Sequence, residues 1–144
     1  SDWEVDQWFE RQMAGMICAG RARMSCSDSL NRALAALGTG GNTGVGFYCS
    51  NFIVMDICGR PDPRPQLRGN LTPALVLRGE CDYIAWPVAR EYRRTFPNAR
   101  LLPVAGAGHA IEIDQPALLA RILAAFVTGA LLPVADHSGE NEPW

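Results

Sequence analysis

The sequence predicts an α/β fold in which parallel strands carry flanking helices, preceded by a helical segment. Three observations predict it. Two short apolar runs, "PALVLRG" at 73–79 and "ARLLPVAG" at 99–106, read as buried strands. A segment of helical period follows each of them, "AWPVAREYRRTFPN" after the first and "QPALLARILAAFVTGALL" after the second. Upstream, residues 1–60 carry helical rather than alternating patterning. Strand, helix, strand, helix is the order of a parallel sheet covered on both faces.

In chain order, residues 2–24 predict an amphipathic helix, with Val5, Trp8, Phe9, Met13, Met16 and Ile17 at helical spacing. Asp2, Glu4 and Asp6 suit the positive end of its dipole. "SCSDSLNRALAALG" predicts a second helix, capped by Ser25 or Ser27 and ended by Gly38. "GTGGNTG" reads as a connector, because no strand precedes it to make a phosphate loop. The apolar "VGFYCSNFIVMDIC" fits helix or strand, with its helical neighbours favouring helix, and the Pro- and Gly-rich "GRPDPRPQLRGNLT" reads as a linker. After the first strand, a helix stopped near Pro97 carries Val88, Tyr92 and Phe96 on one side. The last helix has Leu118, Leu119, Ile122, Leu123 and Phe126 as its apolar face. The organisation is thus a helical segment at 1–65, an α/β segment at 66–130 and a polar, loose tail at 131–144. Two parallel strands are too few to be stable alone, so further strands are expected from elsewhere.

Composition narrows the function classes. The chain has 144 residues, 48% hydrophobic and 19% charged, with a net charge of −2. That balance gives no support to binding nucleic acid or an anionic membrane surface. No apolar stretch is long enough to span a bilayer. All 13 basic residues are Arg, which excludes a Schiff-base lysine within these residues. The five cysteines, 18, 26, 49, 58 and 81, include no C-x-x-C pair and no zinc-type spacing. An odd count predicts free, buried thiols in a reducing, cytoplasmic setting. No cofactor or metal is expected.

Two residues carry chemistry. Asp82 follows the first strand in "LVLRGECD", and His109 follows the second in "LLPVAGAGH". In open α/β sheets, sites form at the carboxyl ends of strands. Both residues therefore emerge at one sheet edge, within reach of each other. An Asp that accepts a proton from a His ring nitrogen fixes the tautomer, and the His then acts as general base. Gly106 and Gly108 are expected to let the His loop turn and to leave room for substrate. Glu80 reads as a solvated strand-end carboxylate, Glu112 and Asp114 as helix-entry capping, and His137 as a solvated residue of the tail.

The stretch "TPALVLRGECD…FPNARLLPVAGAGHAIEIDQPALLARILAAF" resembles the C-terminal part of the α/β-hydrolase fold. It is most similar to the branch of proline iminopeptidases, epoxide hydrolases and related small-molecule hydrolases. The resemblance covers residues 70–128 and rests on strand–G-x-x-D, strand–G-x-G-H and the "D-Q-P" opening of the last helix. It implies that Asp82 is the acid and His109 the base of a Ser-His-Asp triad. Residues 1–65 resemble, more loosely, the helical cap of that family.

The family's nucleophile precedes the acid, in a G-x-S-x-G elbow. No serine here has that context, and no Cys or Asp variant of the elbow is present. The oxyanion-hole segment is missing too. The sequence opens inside a helical pattern with "SDWEVDQWFERQM". The expectation is a C-terminal chain of a split or cleaved hydrolase. Its partner is an N-terminal chain of the same precursor, carrying the nucleophile and the oxyanion hole. Expected substrate contacts are Ile84 and Trp86 after the acid, Ala110 and Ile111 after the base, and Trp8, Phe47, Tyr48 and Phe52 in the cap. The resemblance implies amide or peptide cleavage of an aminopeptidase kind, or ester hydrolysis. The alternatives are epoxide opening with an Asp nucleophile, an acyl-transferring or cyclising tailoring enzyme, and a non-catalytic ligand-binding protein.

Overall fold

A computed structural model describes residues 23–39 and 61–144 of the chain. They fall into two compact units, residues 27–39 with 61–62 in one, and Arg23–Cys26 with Pro63–Trp144 in the other. The expected first helix and the apolar "VGFYCSNFIVMDIC" helix lie outside the described residues, except that 23 and 24 are not helical.

In the first unit, helix α1 runs Asp28–Thr39. Its cap is Ser27, whose Oγ accepts from Leu30 N at 3.3 Å. Asn31 and Ala35, one turn apart, are buried.

The second unit is an α/β arrangement. A one-turn helix, α2 (Arg64–Leu67), interrupts the expected linker. Strand β1 (Ala74–Gly79), helix α3 (Trp86–Thr95), strand β2 (Ala99–Val104), the short α4 (Ile111–Asp114) and helix α5 (Pro116–Thr128) follow. The two strands pair parallel, from Ala74 opposite Ala99 to Gly79 opposite Val104. They agree with the sequence prediction to within two residues.

Alternation along each strand builds two cores, one on each face. On one face, Val76 and Leu101 pack with Trp86 and Ala89 of α3. On the other, Leu102 and Val104 pack with Ala107, Ile111 and Ile122, joined by Leu75, Leu77, Leu118 and Leu119. The side of α3 that carries Val88 and Tyr92 is not its inner one. Trp86 and Ala89 are buried, whereas Val88 and Tyr92 are 45% and 57% exposed. Leu123 is also outside, at 47%. Helix α5 stops at Thr128 rather than continuing to 132, because Gly129 takes φ 71° in a left-handed C-cap.

The two edges of the sheet are treated differently. Asn98 O and Val104 O accept from Ala74 N and Glu80 N. Even-numbered residues of β2 therefore direct their peptide groups at β1, and Leu101 and Pro103 direct theirs outward. Leu101 N donates to Asp136 Oδ1 at 2.8 Å, and His137 N donates to Leu101 O at 2.8 Å. Pro103 has no N–H to offer. The outer edge of β2 is thus closed. On β1, Leu75 and Leu77 face outward, and among the described residues their peptide groups have no partner.

Residues 136–144 are not loose. Asp136 pairs with Arg93 at 2.8 Å, Glu140 with Arg90 at 2.8 Å and also with Arg94, and Glu142 with Arg78 at 3.2 Å. The Arg93 hydrogen bond holds the Asp136 carboxyl below the usual carboxylate range and raises Arg93, despite partial desolvation. His137 is half-buried, its ring 5.3 Å from Trp86 and its Nε2 2.9 Å from Asn141 O.

The thiol expectation is also corrected. Cys26 and Cys81 form a disulfide across 55 positions of sequence. No local spacing announces such a pair; it exists because segment 23–26 lies against the loop that carries His109. The case for a reducing compartment from free thiols falls with it. Cys18, Cys49 and Cys58 lie outside the described residues. No helix among the described residues is long and apolar enough to cross a membrane.

Candidate active site

Because the strands are parallel and in register, the loops after Gly79 and Val104 leave from the same edge. Asp82 and His109 meet there. His109 Nδ1 lies 3.1 Å from Asp82 Oδ1. A carboxylate only accepts, so Nδ1 is the donor of this bond, and in the neutral ring that leaves the lone pair on Nε2. Asp82 Oδ1 also accepts from Ile84 N at 2.8 Å, which folds the acid loop into an Asx turn. The Asp82 side chain is 7% exposed and that of His109 is 39% exposed. The carboxylate is thus shielded and the imidazole is open to solvent. The Tyr83 ring flanks the imidazole, with centroids 4.6 Å apart.

Each loop is tied down by contacts remote in sequence. On the acid side, Cys81 N donates to Ala107 O at 2.9 Å, and Cys81 is bonded to Cys26. Glu80 is not merely solvated, since its Oε2 accepts from Gly106 N at 2.9 Å. On the base side, Ala110 N donates to Met24 O at 2.8 Å and His109 N to Arg23 O at 3.4 Å. Asp114 gathers three donors: the Ser25 hydroxyl, Cys26 N at 3.2 Å and Gly108 N at 2.7 Å. It therefore fastens segment 23–26 to the His loop instead of capping a helix. Gly106 makes the expected turn, with φ 67°. Gly108 makes room for the backbone of Met24 and Ser25, where a Cβ would come within 2.5 Å of Ser25 Cα.

A groove of about 300 Å³ runs along the outer side of β1 to the pair, lined by Leu75, Leu77, Val88 and Tyr92, with Ile84, Asp82 and His109 at its end. Of the expected substrate contacts, Ile84 is thus beside the pair. Trp86, Ala110 and Ile111 are 3%, 2% and 7% exposed and belong to the packed interior. Their burial follows from α3 turning Trp86 onto the sheet and from the His loop folding back over Ile122. Trp8, Phe47, Tyr48 and Phe52 lie outside the described residues. No cluster of metal-ligating side chains occurs among the described residues.

The roles of Arg78, Ser25 and the 136–144 segment are not evident from sequence. Arg78 carries a signal, a charged residue inside an otherwise apolar strand. Ser25 carries none for this contact, because its partner is 89 positions away.

No protein-family model matches the chain, and no curated protein does. Among solved structures, it is similar to a candidate non-heme bromoperoxidase, BpoC, from Mycobacterium tuberculosis H37Rv. That likeness has 20% identity and a TM-score of 0.46, over 86% of this chain and 52% of that one. The chain therefore spans about half the length of that structure.

Proposed function

We propose that this chain is the C-terminal part of an α/β-hydrolase-type enzyme and supplies the acid and base of its catalytic triad. Its nucleophile is a serine on an N-terminal segment outside these 144 residues, none of whose own serines stands in a G-x-S-x-G context. Asp82 orients His109 and supports its imidazolium. His109 Nε2 takes the proton of the serine hydroxyl as the oxygen attacks the acyl carbon of a small ester or amide. It then returns that proton to the leaving group, and a second pass with water releases the acid.

The observation that carries the reading is the shielded Asp82 Oδ1 held 3.1 Å from the open His109 Nδ1, at the carboxyl ends of two parallel strands. The sheet edges support the outside segment. The β2 edge is closed by Asp136, His137 and Pro103. Among the described residues, the β1 edge leaves the peptide groups of Leu75 and Leu77 unpaired, beside the exposed Val88 and Tyr92 and in line with the pair. A further strand laid along β1 would use those groups and cover that apolar surface.

Fluorophosphonate labelling of the intact natural protein, with peptide mapping, tests the proposal. The label is expected on one serine outside these residues, to disappear in H109A, and to form ~10³–10⁴-fold more slowly in D82N. Labelling that is unchanged in H109A, or no labelled serine at all, overturns it. Intact mass under denaturing conditions shows whether that serine sits on a separate chain.

A further inference from the structure

Arg78 stands on β1 at 5% exposure, one residue before the loop that carries Asp82. A guanidinium this deep must satisfy its donors and its charge within the protein. Its donors go to the acid loop. Nε donates to Ile84 O at 3.2 Å, Nη1 to Glu80 O at 3.4 Å and Nη2 to Asp82 O at 3.3 Å. The loop is therefore wound around the guanidinium by alternate carbonyls, and that winding aims the Asp82 side chain at His109. The charge is met by Glu142, whose Oε1 is 3.2 Å from Nη2. The guanidinium carbon lies 5.7 Å from the ring centroids of both Trp86 and Trp144. Trp86 belongs to α3, whereas Glu142 and Trp144 belong to the segment fastened through Asp136, His137 and Glu140 to β2 and α3.

We propose that residues 136–144 form a strap whose Glu142 and Trp144 lock Arg78. Through Arg78 they position the Asp82 loop, making all three positioning residues for the acid–base pair. The consequence for activity rests on the triad reading above, but the geometric claim does not. Glu142 neutralises a charge that would otherwise draw Arg78 toward water, and Trp144 closes the face by which it would leave. With either removed, the three carbonyls lose a fixed partner, and Asp82 loses its aim.

The test is made on the intact natural protein labelled with ¹⁵N-histidine, following the Nδ1–H resonance of His109, assigned by its loss in H109Q. D82N is the reference, since it removes the carboxylate that holds that proton. In E142Q, W144A and R78M we expect the resonance to exchange with solvent about tenfold faster, while amides of α5 keep their protection. E142Q is decisive if R78M fails to fold, because Glu142 is 43% exposed and Gln keeps its shape. If D82N changes the resonance and E142Q and W144A leave it as in wild type, the strap does not position the pair. If wild type and D82N behave alike, the Asp82–His109 bond is not formed, and the triad reading fails together with the role assigned to the strap.

Discussion

Replacing Gly108 by alanine measures how tightly the His109 loop is pressed onto segment 23–26. A Cβ there would stand 2.5 Å from both Cα and N of Ser25 and 2.6 Å from the carbonyl carbon of Met24. Ordinary carbon contacts need ~3.5–4 Å, so one backbone must retreat by ~1–1.5 Å. Neither is a flexible side chain that can swing aside. A retreat of that size takes the 2.8 Å bond from Ala110 N to Met24 O out of range, and strains the 2.7 Å bond from Gly108 N to Asp114. A neutral bond is worth ~1 kcal/mol and one to a charged group ~1.5–3 kcal/mol. The reduced freedom of the unfolded chain returns ~0.4–1 kcal/mol. The net expectation is a loss of ~2–3 kcal/mol. In urea unfolding, at an m-value of ~1–3 kcal/mol/M, this lowers the midpoint by ~0.7–3 M with the slope unchanged. Gly129 is the matched control. It has φ 71°, but a Cβ added there would meet no atom within 4 Å, so G129A costs only the left-handed strain, ~1–2 kcal/mol. A G108A midpoint within ~0.2 M of wild type, or a G129A loss clearly larger than that of G108A, would refute the steric reasoning.

The remaining predictions concern the covalent tie, the strap and the core. Replacing Cys81 by serine opens a link across 55 positions and should lower stability by ~2–4 kcal/mol, read as a fall in Tm that a reducing agent reproduces in wild type and not in C81S. Asp136 is held below the usual carboxylate range by Arg93, so its contribution is present above the unfolded value, ~3.9, and is lost as pH falls through the lower folded value. Its partly exposed pairing limits the effect to ~0.2–1 kcal/mol, so the Tm gap between wild type and D136N should be small at neutral pH and close on acidification. Ile122→Ala, at a side chain with no exposure, should cost ~2–5 kcal/mol in the same urea assay.

The part of the fold that was legible in sequence is the part governed by local periodicity. "ALVLRG" and "ARLLPV" are continuous apolar runs, and each became a parallel strand. The Asp82–His109 pairing was legible because parallel register sends both loops to one edge, a topological consequence that needs no side-chain detail. What was not legible is everything made by contacts distant in sequence. The inner face of α3 is one such case: Val88, Tyr92 and Phe96 have helical spacing, yet Trp86 at the helix start is what reaches the sheet, with Ala89. The tail reads as polar and therefore loose, but its acids meet Arg90, Arg93 and Arg94, which the 3.6-residue period places on α3. Cys26 and Ser25 gave no warning, since each needs a partner more than fifty residues on.

The same contrast describes how the molecule divides its work. Leu101, Leu102, Val104 and Ile122 hold the strands and helices by burial, which is indifferent to small displacements. The aim of Asp82 at His109 is held instead by directed contacts from three sides: segment 23–26 through Asp114 and the disulfide, Arg78 from within the strand, and the 136–144 segment from beyond the last helix. Hydrogen bonds and ion pairs depend steeply on distance and angle, so they fix geometry in a way that burial does not. Perturbing the apolar set should therefore lower stability and leave the geometry of surviving molecules intact. Perturbing Glu142 or Trp144 should loosen the pair in molecules that remain folded. A protein in which both kinds of substitution changed stability and pair geometry in fixed proportion would not be built in this way.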